Sequence, residues 1–242
     1  MSVVGQNILA GTSANQAAFI IDNSCRFNAG DTPYLLRTWT GSDVQKATWS
    51  VWAKRAGLGV QQFIFFDGSY GAGQSKLRWN TDDSLQWRIA GTTGSLQFGE
   101  KATTAKYRDV GAWYHIVLQV DSTQGTAADR AKLYINGEIV TDYQGGADDL
   151  DSNQTLGLSE GTGKQLIGGQ IDSGNNPGTL VLASYLAEFN FIQGATNGPG
   201  DFAETDEDTN QWTAIQYGGS YGTNGFHLKF EDSADLGNDS SG

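Results

Sequence analysis

Apolar and polar side chains alternate with period two through most of this chain. In residues 113–121, Tyr114, Ile116, Leu118 and Val120 fall on one side and Trp113, His115, Val117 and Gln119 on the other, the pattern of a strand. Residues 132–135 predict a second strand, followed by Asn136-Gly137. Asn-Gly between β-formers predicts a type I′ hairpin turn, because both central residues need positive φ. Residues 47–54 alternate likewise, with Trp49 and Val51 opposite Trp52. Residues 60–66 are mostly apolar and bounded by glycine, as expected of a strand buried on both faces. Residues 76–90 predict a hairpin with a loop of about three residues near Asp82-Asp83. Leu77 and Trp79 then face Leu85, Trp87 and Ile89, while Lys76, Arg78, Asn80, Gln86 and Arg88 point the other way. Further strands are expected at 165–169, 179–192 and 226–230. In 179–192, Tyr185, Ala187, Phe189 and Phe191 are read as one face, opposite Glu188 and Asn190. In the last, Phe226, Leu228 and Phe230 oppose His227 and Lys229. No amphipathic helix of three turns is visible, and 127–131 suffices for a single helical turn.

Composition sharpens this into an all-β antiparallel sandwich. The 242 residues fit one large sandwich as well as two ordinary domains. The 33 glycines follow no triplet period, so collagen is excluded and turns between many short strands explain them. Seven Trp, nine Tyr and eleven Phe supply a large apolar core. A net charge of -12 argues against nucleic acid or an anionic membrane as partner, since both need Lys/Arg patches. Cys25 is the single cysteine, so no intrachain disulfide forms. No apolar run approaches the ~20 residues that span a bilayer. The start, MSVVGQNILAG, lacks the charged head and long apolar core of a signal peptide. The expected organisation is an arm or edge strand at 1–24, with 19–21 docking, a sandwich at 25–230, and a polar tail at 231–242.

Trp113, Tyr114, His115, Ile116, Val117 and Asp121, followed by Lys132, Leu133, Tyr134, Ile135, Asn136 and Gly137, form a phrase that resembles the laminin-G-like and pentraxin-like branch of the concanavalin A-like superfamily. Residues 48–54 and the stretch Leu186-Ala187-Glu188-Phe189 are similar to two further strands of that family. The resemblance covers about residues 25–230 and implies a jelly roll. Four pieces resemble laminin-G-like proteins of tailed phages of marine bacteria: GQNILAG (5–11), RFN (26–28), FAETDEDTNQW (202–212) and GSYGTNGFHLKFEDSADLGNDSSG (219–242). This second resemblance implies a virion structural or accessory protein, made in the host cytoplasm and displayed in many copies on the particle surface beside other virion proteins. It also implies a chain that runs on beyond Gly242.

The chemistry-bearing residues favour binding over catalysis. Glu204, Asp206 and Asp208 have the i, i+2, i+4 spacing of carboxylates on one strand face, as sandwich glycosidases require. Thr205 and Glu207 between them are polar, so a solvated acidic loop is expected instead. Asp149, Asp151, Asn153 and Glu160 have the spacing of a calcium loop. Gln154 stands where that loop needs glycine, and a loop that is acidic for solubility is the alternative. The resemblance independently implies calcium as a candidate cofactor. No HExxH, Cys/His cluster or GxSxG elbow accompanies His115, His227 or Cys25. Tyr217 and Tyr221 in QYGGSYGTNG, with Asn224, and Tyr70 in GSYGAG are candidate glycan contacts, since sugars bind aromatic faces beside planar hydrogen-bonding groups. Caps of the sandwich end or an intersubunit contact are the alternative for these rings. The expected function is non-enzymatic glycan adhesion or particle decoration. A purely architectural subunit and a glycan depolymerase are the competing readings.

Overall fold

The computed structural model describes residues 19–38, 44–68, 73–91, 99–146, 148–158 and 163–242. Two antiparallel sheets face each other. Sheet A runs in the order β1 (Cys25–Phe27), β14 (Ser184–Gln193), β3 (Lys46–Arg55), β8 (Tyr114–Asp121), β9 (Ala131–Ile135), β10 (Glu138–Ile139), and β17 (Phe226–Leu228) also pairs with β14. Sheet B runs β2 (Leu35–Thr38), β11 (Lys164–Ile167), β4 (Gln62–Gly68), β5 (Gln74–Trp79), β6 (Leu85–Ile89), β7 (Gly99–Ala102). Two small hairpins lie outside the sheets: β12 (Gln170–Ile171) with β13 (Pro177–Thr179), and β15 (Ala203–Thr205) with β16 (Trp212–Ala214). Only short 3-10 turns interrupt the strands among the described residues, one of them at Ala127–Asp129. The predicted jelly-roll sandwich is therefore the fold.

Period two does what the sequence implies. On β8, Ile116, Leu118 and Val120 enter the core with Trp49, Val51 and Ala53 of β3, Leu77 and Trp79 of β5, and Trp87 of β6. The β5–β6 register pairs Leu77 with Trp87 and Trp79 with Leu85, and therefore Lys76 with Arg88 and Arg78 with Gln86. Asn136 and Gly137 hold φ of 49° and 85°, the two positive values of the expected turn. Every residue of β4 is buried, as a strand covered on both faces must be.

One expectation fails, and a β-bulge is the reason. On β14, Ala187 pairs with Trp52 and Asn190 with Ser50, so Glu188 and Phe189 together oppose one residue of β3. The extra residue, Glu188, takes φ 47°. Side chains change sides across it. Ala187 packs with Trp52 on the outside of sheet A, whereas Phe189 and Phe191 lie in the core. The four residues read as one face are divided between two.

An ion pair ties the sheets together. Arg55 of β3 is sealed from water, and its Nη1 lies 3.1 Å from Asp83 Oδ1 at the β5–β6 turn. The same nitrogen donates to the Tyr107 carbonyl, and the guanidinium lies over the Trp79 ring. Burial alone would raise the Asp83 pKa, but the Gly59 N–H, Arg108 and Arg55 hold the carboxyl below the usual range.

Candidate binding face

Each sheet has an outer surface, and the two are treated differently. That of sheet A carries Thr48, Ser50, Trp52, His115, Val117, Asn190 and Ile192, all buried. The cover is the segment from Phe202 through Tyr221. Phe202 packs on Val117 and Ile192, with Tyr217 and Tyr221 alongside; Trp212, Ala203 and Ala214 pack on Trp52 and Ala187. Ile21 joins the second cluster, so part of the predicted docking piece docks here, while residues 1–18 lie outside the described residues.

Polar groups beneath this cover are paired. Trp212 Nε1–H donates to His115 Nδ1 at 3.0 Å, and His115 Nε2 lies 2.9 Å from Ser50 Oγ. Indole N–H can only donate, so Nδ1 is the bare nitrogen and Nε2 carries the proton toward Ser50. Burial pushes the His115 pKa down to about 3, which keeps the ring neutral. The His115 backbone N–H donates to Asn136 Oδ1, locking the hairpin turn to the strand beside it. Gly137 is required for a second reason: a Cβ there would sit 3.0 Å from the Trp212 ring. His227 Nε2 lies 2.6 Å from Glu188 Oε2, the carboxylate that the bulge presents.

Two predicted ligand tyrosines belong to this cover. Tyr217 stacks on Phe202 with centroids 5.0 Å apart, and Tyr221 stacks on His227 at 5.8 Å while its hydroxyl donates to Asn190 Oδ1. One face of each ring thus rests on protein, and both residues are half-buried. Asn224 is likewise engaged: its N–H donates to Gln193 Oε1, and its carbonyl accepts from Arg37 Nη2. Tyr70 and Glu160 lie outside the described residues.

The acidic candidates are dispersed. Glu204 is exposed on β15, which ends at Thr205, and Asp206 begins the turn. Asp206 Oδ1 accepts from the Thr209 hydroxyl and from the N–H groups of Thr209 and Asp208. The described residues thus present no strand face with three carboxylates there. Asp149 pairs with Lys101 Nζ at 2.5 Å, and Asn153 adopts φ 54° with its N–H on the Ser122 carbonyl. Among the described residues no group of three or more His, Cys, Asp or Glu is placed to hold a metal ion, and Glu160 lies outside them.

Sheet B presents the contrasting surface. Its outer row runs across the strands from Leu36 through Leu166, Phe66, Lys76 and Arg88 to Glu100. The next row places Phe63, Arg78 and Gln86 side by side. One half is apolar: Phe63, Phe66 and Leu166 form a cluster with Ile171 of β12. The other half is cationic. Lys76 stands directly opposite Arg88, an arrangement of like charges that destabilises a bare sheet. Burial, with Arg78 and Arg88 beside it, pushes the Lys76 pKa down to about 8. Arg78 Nε donates to Gln86 Oε1 at 2.5 Å, and its guanidinium lies 5.6 Å from the Phe63 centroid. Arg88 Nε is 3.6 Å from Glu100 Oε2, and Gln86 Nε2 donates to Glu100 Oε1. Sequence patterning put these polar residues on one face, but nothing local marked them as a site rather than a solvated surface.

A cavity of about 510 Å³ opens elsewhere, between the sheets at the β2–β17 edge. Arg37, Phe65, Ile167, Phe226 and Leu228 line it, and the tail crosses it with Leu236. The tail is held there by the Ser240 N–H on the His227 carbonyl and by Asp239 Oδ1, which accepts from the His227 N–H.

A model of the concanavalin A-like lectin/glucanases superfamily, of the laminin-G type, matches residues 28–175, and the chain belongs to that family. Among solved structures the chain is similar to a heptameric SAP-like pentraxin from Limulus polyphemus. Identity there is 16%, with 74% of this chain and 80% of that one covered, at a TM-score of 0.50. It is also similar to a candidate carbohydrate-binding protein from Bacteroides ovatus, at 15% identity and TM-score 0.55. That match covers 87% of this chain but 52% of the other, so this chain spans about half its length. Domains LG4-5 of the mouse laminin alpha1 chain match at 15% identity, 77% and 46% coverage and TM-score 0.46. No curated protein sequence matches. No helix among the described residues is long and apolar enough to cross a membrane.

Proposed function

We propose that this chain is a non-enzymatic, lectin-like module that binds glycans through the outer face of sheet B and is displayed in many copies on the surface of a phage particle. The observation that carries the glycan reading is the cationic group on β5 and β6, where Lys76 faces Arg88 with Arg78 one pair along and Glu100 is the carboxylate beside them. Membership of a lectin/glucanase superfamily supports it. Guanidinium and amide groups are the planar donors that sugar recognition uses, and multiple copies convert weak single contacts into avidity. The particle reading is supported by the phage-like phrases at 5–11, 26–28, 202–212 and 219–242.

A glycan array probed with the isolated protein, with and without calcium, tests the first part. Binding to no glycan in either condition would remove it and leave the architectural role. Immunogold labelling of intact particles tests the second, and labelling only after disruption would place the chain away from the surface. A depolymerase would release reducing ends from host polysaccharide; we expect none, and the same yield from Glu204→Gln.

A further inference from the structure

Resting on the lectin reading above, we infer that the glycan is anionic: a polymer bearing carboxylate or sulfate groups, read by Lys76, Arg78 and Arg88. These three cations share one face of two adjacent strands, with Lys76 in register against Arg88 and Arg78 one pair along. A chain of net charge -12 has few cations to place, so grouping three without matching anions needs a physical reason. Among the described residues Glu100 is the carboxylate beside them, and it is shared between Gln86 and Arg88. Among the described residues no hydrogen bond or ion pair engages the Lys76 ammonium. The terminal nitrogens of Arg78 and Arg88 are equally without one. The Lys76 stem is buried, at 8% exposure, yet its ammonium is not among the sealed polar atoms, so it reaches water.

An anion seated between the three would remove their mutual repulsion and complete the guanidinium forks, which match carboxylate and sulfate oxygens. Phe63 and Phe66 continue the row but are sealed from water, so they pack beside the cationic strands and leave the charged groups as the part that meets a ligand. Nucleic acid fits worse: it needs a basic stripe long enough to follow a backbone, and this cluster occupies two strands within an acidic molecule.

Calorimetric titration of the whole chain tests this with four probes: alginate oligomers for carboxylate, carrageenan oligomers for sulfate, laminarin as neutral glucan, and single-stranded DNA. Binding of alginate or carrageenan should exceed that of laminarin at least about tenfold, the two anionic arms telling carboxylate from sulfate. Lys76→Gln and Arg88→Gln should each weaken it by about tenfold or more. Glu100→Gln, which removes the lone negative charge, should tighten it severalfold and keeps the test decisive where the cation variants fold poorly. Affinity should fall as pH rises through about 8, where Lys76, faced by Arg78, Arg88 and Glu100, loses its proton. That pH dependence should be absent in Lys76→Gln. Laminarin binding untouched by these variants would overturn the anionic inference and leave the lectin reading standing. DNA binding as tight as that of the acidic glycans would overturn the inference. Silence toward all three glycans would overturn both.

Discussion

The outer faces of the two sheets solve opposite problems with the same strand geometry. On sheet A, 20 residues from Phe202 to Tyr221 fold over the strands, and the polar groups beneath find partners: Ser50 with His115, His115 with Trp212, Asn190 with Tyr221. On sheet B, Lys76 and Arg88 face each other across β5 and β6 with one carboxylate nearby. A buried polar group is tolerated when it is hydrogen-bonded, and the covered face obeys that rule throughout this network. The cationic face instead carries like charges in register, which costs stability. The tyrosines that first suggest sugar contact therefore pack on sheet A, and the outer face of sheet B is distinguished by its charge.

The contrast can be broken by mutation, beginning with the largest effect. Phe202→Ala should open the cover over Val117 and Ile192 and cost about 3–5 kcal/mol, as buried aromatic truncations do, measured by urea unfolding. Preserved stability would mean that the cover is not part of the folded unit. Trp212→Phe keeps the ring but removes its N–H, leaving His115 Nδ1 unpaired, and should cost about 1–2 kcal/mol.

The pH dependence separates the two faces by the window in which each acts, because both groups are bases whose folded pKa is depressed. His115 is held neutral with a folded pKa of about 3, so the unfolded chain binds more protons below about pH 6.5. Its contribution to stability is complete above that value and is lost as pH falls toward 3. His115→Gln should show a shallower decline across that window, and parallel curves would refute the assignment. Lys76 follows the same sign in a higher window. Its folded pKa is depressed to about 8, so below that pH the fold carries a charge it disfavours. Stability should rise between pH 8 and the unfolded lysine value of about 10.4. Lys76→Gln should raise stability at pH 7 by about 0.5–1 kcal/mol, the scale of a like-charge cross-strand pair, and the gain should shrink as pH climbs. A destabilised Lys76→Gln would mean that the lysine has a structural partner.

Much of the sandwich was legible in the chain itself. Alternation placed Leu77, Trp79, Leu85 and Trp87 on one face and Lys76, Arg78, Gln86 and Arg88 on the other, and the register agrees. Asn136-Gly137 announced its turn. These are local properties, because a side chain's face follows from the parity of its position along an extended backbone. Parity is also why the β14 reading failed: one inserted residue at Glu188 reverses every side chain beyond it, and no residue type announces the insertion.

Which outer face is covered was decided by tertiary structure alone. Trp212 reaches His115 across 97 positions of sequence, and Tyr221 reaches Asn190 across 31. Glycines and tyrosines in a loop look alike whether they cap a sheet or meet a ligand, since their local preferences are the same. The strands and their two faces come from nearest-neighbour geometry, and the covering of sheet A's outer face comes from where a distant segment finds enough apolar surface to settle.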